Sequence, residues 1–375
     1  MLCRTFLRMG CKMKILVITP LFAIAGVPLA QVRFARALKA RGHSVELIIG
    51  HVHPDYDFVP PAELKTTIWN KPNVRSMFWP LVRYLRSERP DVVFSAEDHL
   101  NTVVQVAAIV SGSKAKLSGS SRVTPFNTYS NKILSKGWVL KQIAKLVMKR
   151  ADALTCVSKD MVAQYRQVFS SPPHECVYNI VDDAQARERM YEPIEHQWLT
   201  DRLVPVAVAA GRLAPWKGFA CAIEAIGLLN KYQPVKLLIL GDGPLRAELQ
   251  ELIDRLDLND SVELLGYVQN PLKYFANADL FILSSLVEGM PNVLVEAMMC
   301  GCTPVATDCP TGPRELLKDG AFGYLVPVQD APAMAKGIEK ALDNPMSRGR
   351  LESAIAPFKE NVVLARHFSL LGISG

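Results

Sequence analysis

The chain has 375 residues, 49% of them hydrophobic, and a formal net charge of +7. This length leaves room for two domains of ordinary size, each with a substantial core, and the composition fits a globular protein with buried parallel strands. No uninterrupted apolar run reaches the roughly 18–20 residues that a bilayer-spanning helix needs, so the sequence excludes an integral membrane helix.

Charge is distributed unevenly along the chain. Residues 1–185 hold 25 Lys and Arg against 13 Asp and Glu, a net +12, whereas the remainder holds 18 against 23, a net −5. The asymmetry suggests that the amino half meets an anionic partner such as a membrane surface, a lipid-linked phosphate or a nucleic acid; a solvated basic surface without a partner is the alternative. Eight cysteines, none spaced as Cys-x-x-Cys, favour a reducing cytoplasmic location.

Strand and helix patterns alternate through the amino half. Residues 1–12 lack a signal-peptide core and are predicted to be a disordered leader. The alternation that follows is typical of an α/β fold with a doubly wound parallel sheet, so residues 13–185 are predicted to form a Rossmann-like domain. The predicted strands are 14–19, 44–50, 91–95, 116–120 and 153–157, and the predicted helices are 29–41, 74–89, 100–111 and 135–150.

A second alternating unit follows a polar linker. Residues 186–202 are predicted to be the linker and residues 203–350 a second Rossmann-like domain, followed by a helical segment at 351–375. The clearest elements of the second domain are strands at 204–210, 235–240 and 278–283 and helices at 219–230 and 292–300.

Two glutamates carry the most informative motif of the chain. Glu288 and Glu296 are separated by seven residues, and a tight turn lies between the predicted strand and helix on which they stand. One carboxylate is therefore expected at the carboxyl edge of the sheet and the other within the helix, near the same crevice. The N–H groups of residues 289–292 at the helix start favour an anion. The motif suits a ligand with both hydroxyls and phosphates, such as a nucleotide sugar.

Two basic residues lie in the loop after the first strand of the second domain. Arg212 and Lys217 precede the helix predicted at 219–230. At the carboxyl edge of the same sheet, their charges are positioned to reach a pyrophosphate from the side opposite the helix start.

The sequence resembles the retaining glycosyltransferases of family four (glycosyl transferases group 1), whose GT-B fold has two Rossmann-like domains with a cleft between them. The resemblance covers most of residues 205–345 and the amino half only loosely, and it implies that the terminal helix crosses back to the first domain. It rests on Gly211-Arg212-Leu213 with Lys217-Gly218, Gly241-Asp242-Gly243-Pro244, Gly266-Tyr267-Val268, the Glu288/Glu296 pair, residues 301–307 and residues 320–327.

The resemblance implies transfer of a hexose or N-acetylhexosamine from a nucleotide sugar, expected to be UDP-linked, to a glycan or lipid-linked acceptor. Such reactions build surface polysaccharide, lipopolysaccharide or other glycoconjugates. Glu296 would bind the ribose and Glu288 the sugar hydroxyls. Arg212 and Lys217 would neutralise the departing diphosphate, so neither a metal nor a further cofactor is expected. The predicted donor-binding set is Gly26, Arg212, Lys217, Val268, Glu288, Gly289, Met290, Pro291, Asn292, Val293, Leu294 and Glu296.

The acceptor side departs from the family's pattern. Relatives commonly carry a histidine after the strand near 116–120, where this chain has Arg122. Arg122 and His99 are therefore the predicted acceptor-binding residues, and His99 joins Arg212, Lys217 and Glu288 in the predicted catalytic set. An ordinary helix-start histidine with Asp98 as N-cap is the alternative for His99. Gly26 takes the place of the family's glycine-rich first loop, although an ordinary strand-to-helix turn would also explain it.

Two amphipathic helices suggest contact with the inner face of a membrane. In the helix from Trp138 onward, Trp138 and three lysines share one face, expected to rest on anionic headgroups, while an apolar face that includes Val139, Ile143 and Leu146 is expected to pack on the sheet. Residues 74–89 repeat this pattern. Ordinary core helices with solvated lysines are the alternative.

Other classes of function remain as alternatives. A sugar-nucleotide epimerase would share the two-lobed architecture, but no convincing acid/base set accompanies it. A dinucleotide-binding module would need G-x-G-x-x-G after the first strand, which is absent. Nucleic-acid binding is not expected, because aromatic residues are not interleaved with the basic ones.

Overall fold

The computed structural model of the protein describes residues 12–22, 26–54, 59–169 and 174–373. They form two compact units: one contains the described residues up to Ile180 and those from Glu360 onward, and the other is Val181–Lys359. The stretch expected to be a linker, 186–202, carries short helices and is grouped with the second unit. The predicted leader lies outside the described residues, apart from Lys12.

Seven parallel strands build the sheet of the first unit. They are β1 (Lys14–Phe22), β2 (Ser44–Val52), β3 (Lys65–Ile68), β4 (Val92–Ala96), β5 (Lys116–Ser121), β6 (Ala153–Cys156) and β7 (Glu175–Cys176). Their order across the sheet is β3-β2-β1-β4-β5-β6-β7. In the centre, Ile15 lies opposite Val45 on one side and Val92 on the other.

Helices cover both faces of this sheet. They are α1 (Gly26–Ala40), α2 (Phe78–Glu88), α3 (Asp98–Ser111), α4 (Pro125–Thr128), α5 (Lys136–Val147) and α6 (Lys159–Val168), with short 3-10 helices at Val74–Met77 and Met148–Arg150. Successive residues of β1 point to opposite faces. Ile15 and Val17 therefore join the core under α1, whereas Leu16 and Ile18 join the core under α2 and α3.

Six parallel strands build the sheet of the second unit. They are β8 (Val206–Ala210), β9 (Lys236–Leu240), β10 (Val262–Gly266), β11 (Leu280–Leu283), β12 (Thr303–Thr307) and β13 (Tyr324–Val326). Their order is β10-β9-β8-β11-β12-β13. The central strands are buried along their whole length, which explains their continuous apolar sequence.

The second unit is completed by nine helices, and a tenth returns to the first unit. Helix α16 shares the core under α1 through Val363, Leu364 and Phe368. Among the described residues, no helix combines the length and apolar character needed to cross a bilayer. The helices are α7 (Ala184–Arg189), α8 (Gln197–Asp201), α9 (Phe219–Leu229), α10 (Arg246–Arg255), α11 (Leu272–Asn277), α12 (Asn292–Cys300), α13 (Pro313–Leu316), α14 (Ala331–Asp343), α15 (Arg348–Ile355) and α16 (Glu360–Leu370), with short 3-10 helices at Pro215–Lys217 and Ala356–Phe358.

Each sheet has a point where the strand order reverses direction. In the first unit it lies between β1 and β4, and in the second between β8 and β11. Loops that leave the carboxyl ends of two such strands diverge to opposite faces, which opens a crevice where ligands of α/β proteins bind. Gly26 and His99 follow β1 and β4, and Lys217 and Glu288 follow β8 and β11.

The predicted α/β fold with two doubly wound parallel sheets is confirmed, with local differences. Helix α1 begins at Gly26 rather than near residue 29, because a proline is tolerated in the first turn of a helix and Pro28 lies there. Strand β3 was not predicted. It is a four-residue edge strand, Lys65–Ile68, in which no residue is fully buried, so it carries no apolar run.

Candidate active site

An ion pair joins the two loops at the reversal point of the second sheet. Lys217 Nζ lies 2.6 Å from Glu288 Oε1, and Ser285 Oγ donates a hydrogen bond to the same oxygen at 2.6 Å. The side chains of Lys217 and Glu288 are only 18% and 12% exposed. A cation, a carboxylate and a hydroxyl therefore share a site that is largely shielded from water.

The loop that carries Lys217 is fixed to the end of β11 by its backbone. Ser284 Oγ donates to the carbonyl of Lys217 at 2.8 Å, and the N–H of Leu286 donates to the carbonyl of Trp216 at 2.8 Å. Gly218 follows with φ of +62°, and a Cβ atom there would collide with the carbonyl oxygen of Ser284. Glycine is thus required at this position both by backbone conformation and by close packing.

The end of β12 and the loop after it form hydrogen bonds with the backbone around Glu288. Thr307 Oγ1 donates to the carbonyl of Ser285 at 2.6 Å, and the N–H of Glu288 donates to the carbonyl of Pro310 at 3.2 Å. Thr311, whose φ of +60° is unusual for a β-branched residue, donates its hydroxyl to the Glu288 carbonyl. Strained residues of this kind cluster at functional sites.

Helix α12 begins directly beside this pair. Its first residue is Asn292, and the preceding Pro291 provides no side-chain cap. The first amides of a helix lack intrahelical acceptors, and they attract anions. The side chain of Leu294, another predicted donor residue, is fully buried, and its N–H donates to the Pro291 carbonyl at 3.0 Å.

The other predicted donor residues have different degrees of exposure. Met290 and Pro291 are buried, whereas Gly289, Asn292, Val293 and Glu296 are partly exposed. Glu296 lies one turn into α12. Val268 follows the end of β10 and is also partly exposed.

Arg212 is exposed at the carboxyl end of β8, and no hydrogen bond or ion pair engages its guanidinium within the part of the chain that the structure describes. Its loop is fixed to the loop after β9. The N–H of Leu213 donates to the Asp242 carbonyl at 2.9 Å, and a Cβ on Gly243 would lie 2.5 Å from the Leu213 carbonyl oxygen. The glycine motif after β9 therefore allows two loops to pack together at the same sheet edge.

In the first unit, His99 is exposed and Asp98 is buried. The N-cap residue of α3 is Glu97, so the alternative with Asp98 as N-cap is wrong. Asp98 instead accepts hydrogen bonds from Ser121 Oγ and Tyr165 Oη, each at 2.5 Å. Burial raises the pKa of Asp98, although these hydrogen bonds act in the opposite direction.

Glu97 and Arg122 form a second charged group at the carboxyl edge of the first sheet. Glu97 has φ of +78°, and burial raises its pKa while the positive charge of Arg122 lowers it. Burial lowers the pKa of Arg122 to about 10. Arg122 donates to Asn179 Oδ1, and its Nε has no hydrogen-bond partner among the described residues. The sequence alone assigned no role to Glu97 and pointed only to its neighbours Asp98 and His99.

Gly26 lies at the start of α1 and is exposed, and a Cβ added there would meet no atom within 4 Å. Packing within the described residues therefore does not require a glycine at this position. The residues before it, 23–25, lie outside the described residues.

Comparison with known families agrees with this fold. The sequence model of "Glycosyl transferases group 1" matches residues 192–356, and that of "Glycosyltransferase Family 4" matches residues 25–185. The chain belongs to the family four (group 1) glycosyltransferases. No part of these matches favours the epimerase alternative.

Two relatives illustrate the similarity. One is the N-acetylgalactosamine-N,N'-diacetylbacillosaminyl-diphospho-undecaprenol 4-alpha-N-acetylgalactosaminyltransferase of Campylobacter jejuni, which is 34% identical over 243 residues, 64% of this chain and 64% of the relative. The other is an uncharacterized glycosyltransferase of Methanocaldococcus jannaschii, 30% identical over 274 residues, 68% of this chain and 66% of the relative. The chain therefore spans a little under two thirds of the length of these relatives.

Among solved structures, HepE of Anabaena in complex with UDP and glucose is similar to this chain. It aligns over 96% of this chain and 99% of its own, with a TM-score of 0.73 and 19% sequence identity. The likeness confirms the GT-B fold.

Proposed function

We propose that the protein is a retaining glycosyltransferase that moves a hexose or N-acetylhexosamine from a UDP-linked sugar to a lipid-linked or glycan acceptor without a metal ion. The observation that carries the proposal is the Lys217–Glu288 contact of 2.6 Å at the reversal point of the second sheet, beside the start of α12. This edge combines a cation, a carboxylate and helix amides, which are the groups that a sugar diphosphate requires.

Lys217 and Arg212 are assigned to the diphosphate. Lys217 is mostly buried and paired, whereas the guanidinium of Arg212 is exposed. Negative charge builds on the leaving phosphate as the bond to the sugar breaks, and fixed cations stabilise it without a metal. The first amides of α12, at Asn292 and Val293, supply hydrogen-bond donors to the same anion.

Glu288 and Glu296 are assigned to hydroxyl groups. Glu288 is oriented by Ser285 and by the loop after β12, so its free carboxylate oxygen can accept hydrogen bonds from the transferred sugar. Glu296, partly exposed one turn into α12, accepts from the ribose, and Val268 contributes to the wall of the base pocket. Gly289, Met290 and Pro291 form the turn that connects Glu288, assigned to the sugar, with the helix that carries Glu296.

The chemical step retains the anomeric configuration through attack on the same face from which the diphosphate leaves. The bond between the anomeric carbon and the phosphate oxygen breaks, and a bond between that carbon and the acceptor oxygen forms. The acceptor's proton passes to the departing phosphate oxygen. No paired acid and nucleophile is therefore demanded, and the protein's task is orientation and charge stabilisation.

His99 and Arg122 are assigned to the acceptor, and Gly26 to close backbone approach at the start of α1. His99 is exposed just after β4, and Arg122 follows the neighbouring strand β5. A cation and an exposed imidazole that follow neighbouring strands suit an acceptor that carries a phosphate or diphosphate. The Campylobacter jejuni relative is named for such an acceptor, a sugar on diphospho-undecaprenol. This supports a polyprenyl diphosphate-linked sugar as the acceptor class here.

The direct test is a transfer assay with a panel of UDP-linked hexoses and N-acetylhexosamines and a short polyprenyl diphosphate-linked sugar as acceptor. Mass spectrometry would detect the extended product, and NMR would report its anomeric configuration. We expect transfer with retention, unaffected by a chelator. An inverted product would contradict the retaining mechanism, and interconversion of nucleotide sugars without acceptor would replace the proposal with an epimerase.

A further inference from the structure

A surface of the first unit combines exposed aliphatic side chains with lysines. We call it the α4–α5 surface. Its most exposed members are Ile133 at 71%, Leu134 at 81% and Leu146 at 80%. We define it by the exposed large hydrophobic residues between positions 123 and 149 and by four exposed lysines of the same segment: Val123, Phe126, Ile133, Leu134, Val139, Ile143, Leu146, Lys132, Lys136, Lys145 and Lys149.

Helix α5 presents its apolar residues to solvent, so the expectation that they pack on the sheet is wrong. Val139, Ile143 and Leu146 follow one another at helical spacing and are all exposed, whereas Ala144 is the buried residue of the helix. The helix contacts α3, and none of its large aliphatic side chains is fully buried. A stripe of large aliphatic residues is therefore left without a partner in the described part of the chain.

The loop before α5 extends this stripe. Leu134 has φ of +64°, an uncommon conformation for leucine. Ile133 and Leu134 are both more exposed than Val139 and Ile143 of α5. Two adjacent large aliphatic side chains held in water are unfavourable unless something covers them. Ser135 caps the helix that follows, so the loop is fixed relative to α5.

The charged residues of the segment that carries the stripe have one sign. Residues 99–151 contain nine Lys and Arg and no Asp or Glu. Lysines at 136, 145 and 149 lie along α5 and just beyond it, and all three are exposed. Apolar residues flanked by lysines, in a segment without Asp or Glu, match the boundary of an anionic bilayer, where acyl chains lie beneath negative headgroups.

We propose that the α4–α5 surface docks the protein on anionic phospholipid membranes, with Ile133, Leu134 and Leu146 entering the headgroup boundary. The surface does not suit a second copy of the chain, because a two-fold interface pairs one surface with itself and would bring the lysines of both copies together. Docking is independent of the proposed chemistry, and it would bring the first unit to the layer in which a lipid-linked acceptor is embedded.

Vesicle co-sedimentation tests the proposal without using activity. Vesicles of phosphatidylglycerol mixed with phosphatidylcholine should bind the wild-type protein at low salt, and pure phosphatidylcholine vesicles should bind it at least ~10-fold more weakly. The double variant Leu134→Ser/Leu146→Ser should lose binding by ~10-fold or more, since each buried aliphatic side chain contributes. The triple variant Lys136→Gln/Lys145→Gln/Lys149→Gln should lose ~100-fold, about 5-fold for each lysine.

Matched controls come from the second unit. Leu203 is 87% exposed and Lys231 is exposed, so Leu203→Ser and Lys231→Gln should bind vesicles as the wild type does. Circular dichroism and the melting temperature should be unchanged in every variant, because the replaced residues are exposed. Equal binding to both vesicle types, or undiminished binding by the leucine double variant, would overturn the proposal. Sedimentation that shows a wild-type dimer dissociated by the leucine double variant would also overturn it, in favour of a protein interface.

Discussion

Lys217 Nζ and Glu288 Oε1 lie 2.6 Å apart although 71 residues separate them, because β8 and β11 are neighbours in the sheet. The pair is largely shielded, so each charge depends on the other for compensation. A diphosphate that enters beside Lys217 would compete with Glu288 for the ammonium group. The carboxylate would then be available to the sugar hydroxyls, and the proposed site is organised before its ligand arrives.

Replacement of Lys217 by alanine should lower the rate of sugar transfer by about 10²-fold or more, because a fixed cation at the departing diphosphate is lost. Steady-state kinetics with saturating acceptor would measure it. Arg212→Ala should have a similar effect on rate with little effect on stability, since that guanidinium is exposed. The control is Lys231→Ala, which replaces an exposed lysine just beyond α9 and should retain full activity. Full activity of either site variant would remove these two cations from the mechanism.

Replacement of Ser285 by alanine should weaken the orientation of Glu288 without removing its charge. One hydrogen bond to a charged group contributes about 1.5–3 kcal/mol, so kcat/KM for the donor should fall by roughly 10- to 100-fold. Ser285→Thr retains a hydroxyl and should recover part of the loss. If Ser285→Ala reacts as fast as the wild type, the 2.6 Å contact has no role in catalysis.

Two glycines with similar backbone conformation allow a matched test of loop packing. Gly112 has φ of +68° with open space around a new Cβ, whereas Gly218 has φ of +62° and faces the Ser284 carbonyl. Gly112→Ala should destabilise the protein by about 1–2 kcal/mol through backbone strain alone. Gly218→Ala should destabilise it more and also lower activity, because the loop carrying Lys217 must move. Equal melting temperatures and activities would contradict the packing argument.

Acid sensitivity should arise partly from His367. Burial lowers the pKa of His367 to about 3, so the folded protein holds this imidazole neutral while the unfolded chain binds a proton near the ordinary pKa. The free energy of unfolding therefore falls as the pH decreases below about 6.5, by about 2 kcal/mol at roughly pH 5. His367 packs against Phe34 and Phe94.

The test replaces His367 with phenylalanine and compares melting temperatures near neutral pH and near pH 5. The variant should lose less stability on acidification than the wild type does. His99→Ala, which alters an exposed histidine, should lose as much as the wild type. An identical acid response of His367→Phe and the wild type would show that this histidine is not the sensitive group.

Sequence patterns predicted most of the fold because the buried strands are continuous apolar runs. Residues that directly follow a predicted strand could then be placed at the carboxyl edge of the sheet. That reasoning placed Lys217 and Glu288 on loops from two strands of one sheet. It could not show that the two side chains are paired, since pairing depends on strand order and on rotamers. Thr311 and Ser285 were missed because a hydroxyl residue in a loop carries no distinctive pattern.

Helix α5 marks another limit of the sequence. Its periodicity correctly indicated two different faces, but periodicity does not reveal what lies against each face. The aliphatic face proved to be exposed, and the tertiary environment decided the outcome. The same holds for Glu97, whose positive φ is a property of the turn after β4 and is not visible in its residue type.

The central claim is that the carboxyl edge of the second sheet binds a uridine nucleotide, and calorimetric titration of UDP tests it most directly. We predict that the wild type binds UDP. The variant Glu296→Ala should raise the dissociation constant for UDP by about 10-fold or more, the loss of affinity expected when hydrogen bonds to a charged group are removed. The control Glu248→Ala, which replaces an exposed glutamate on α10, should bind UDP as tightly as the wild type does. Absence of UDP binding by the wild type, or equal affinity in Glu296→Ala and the wild type, would contradict the account.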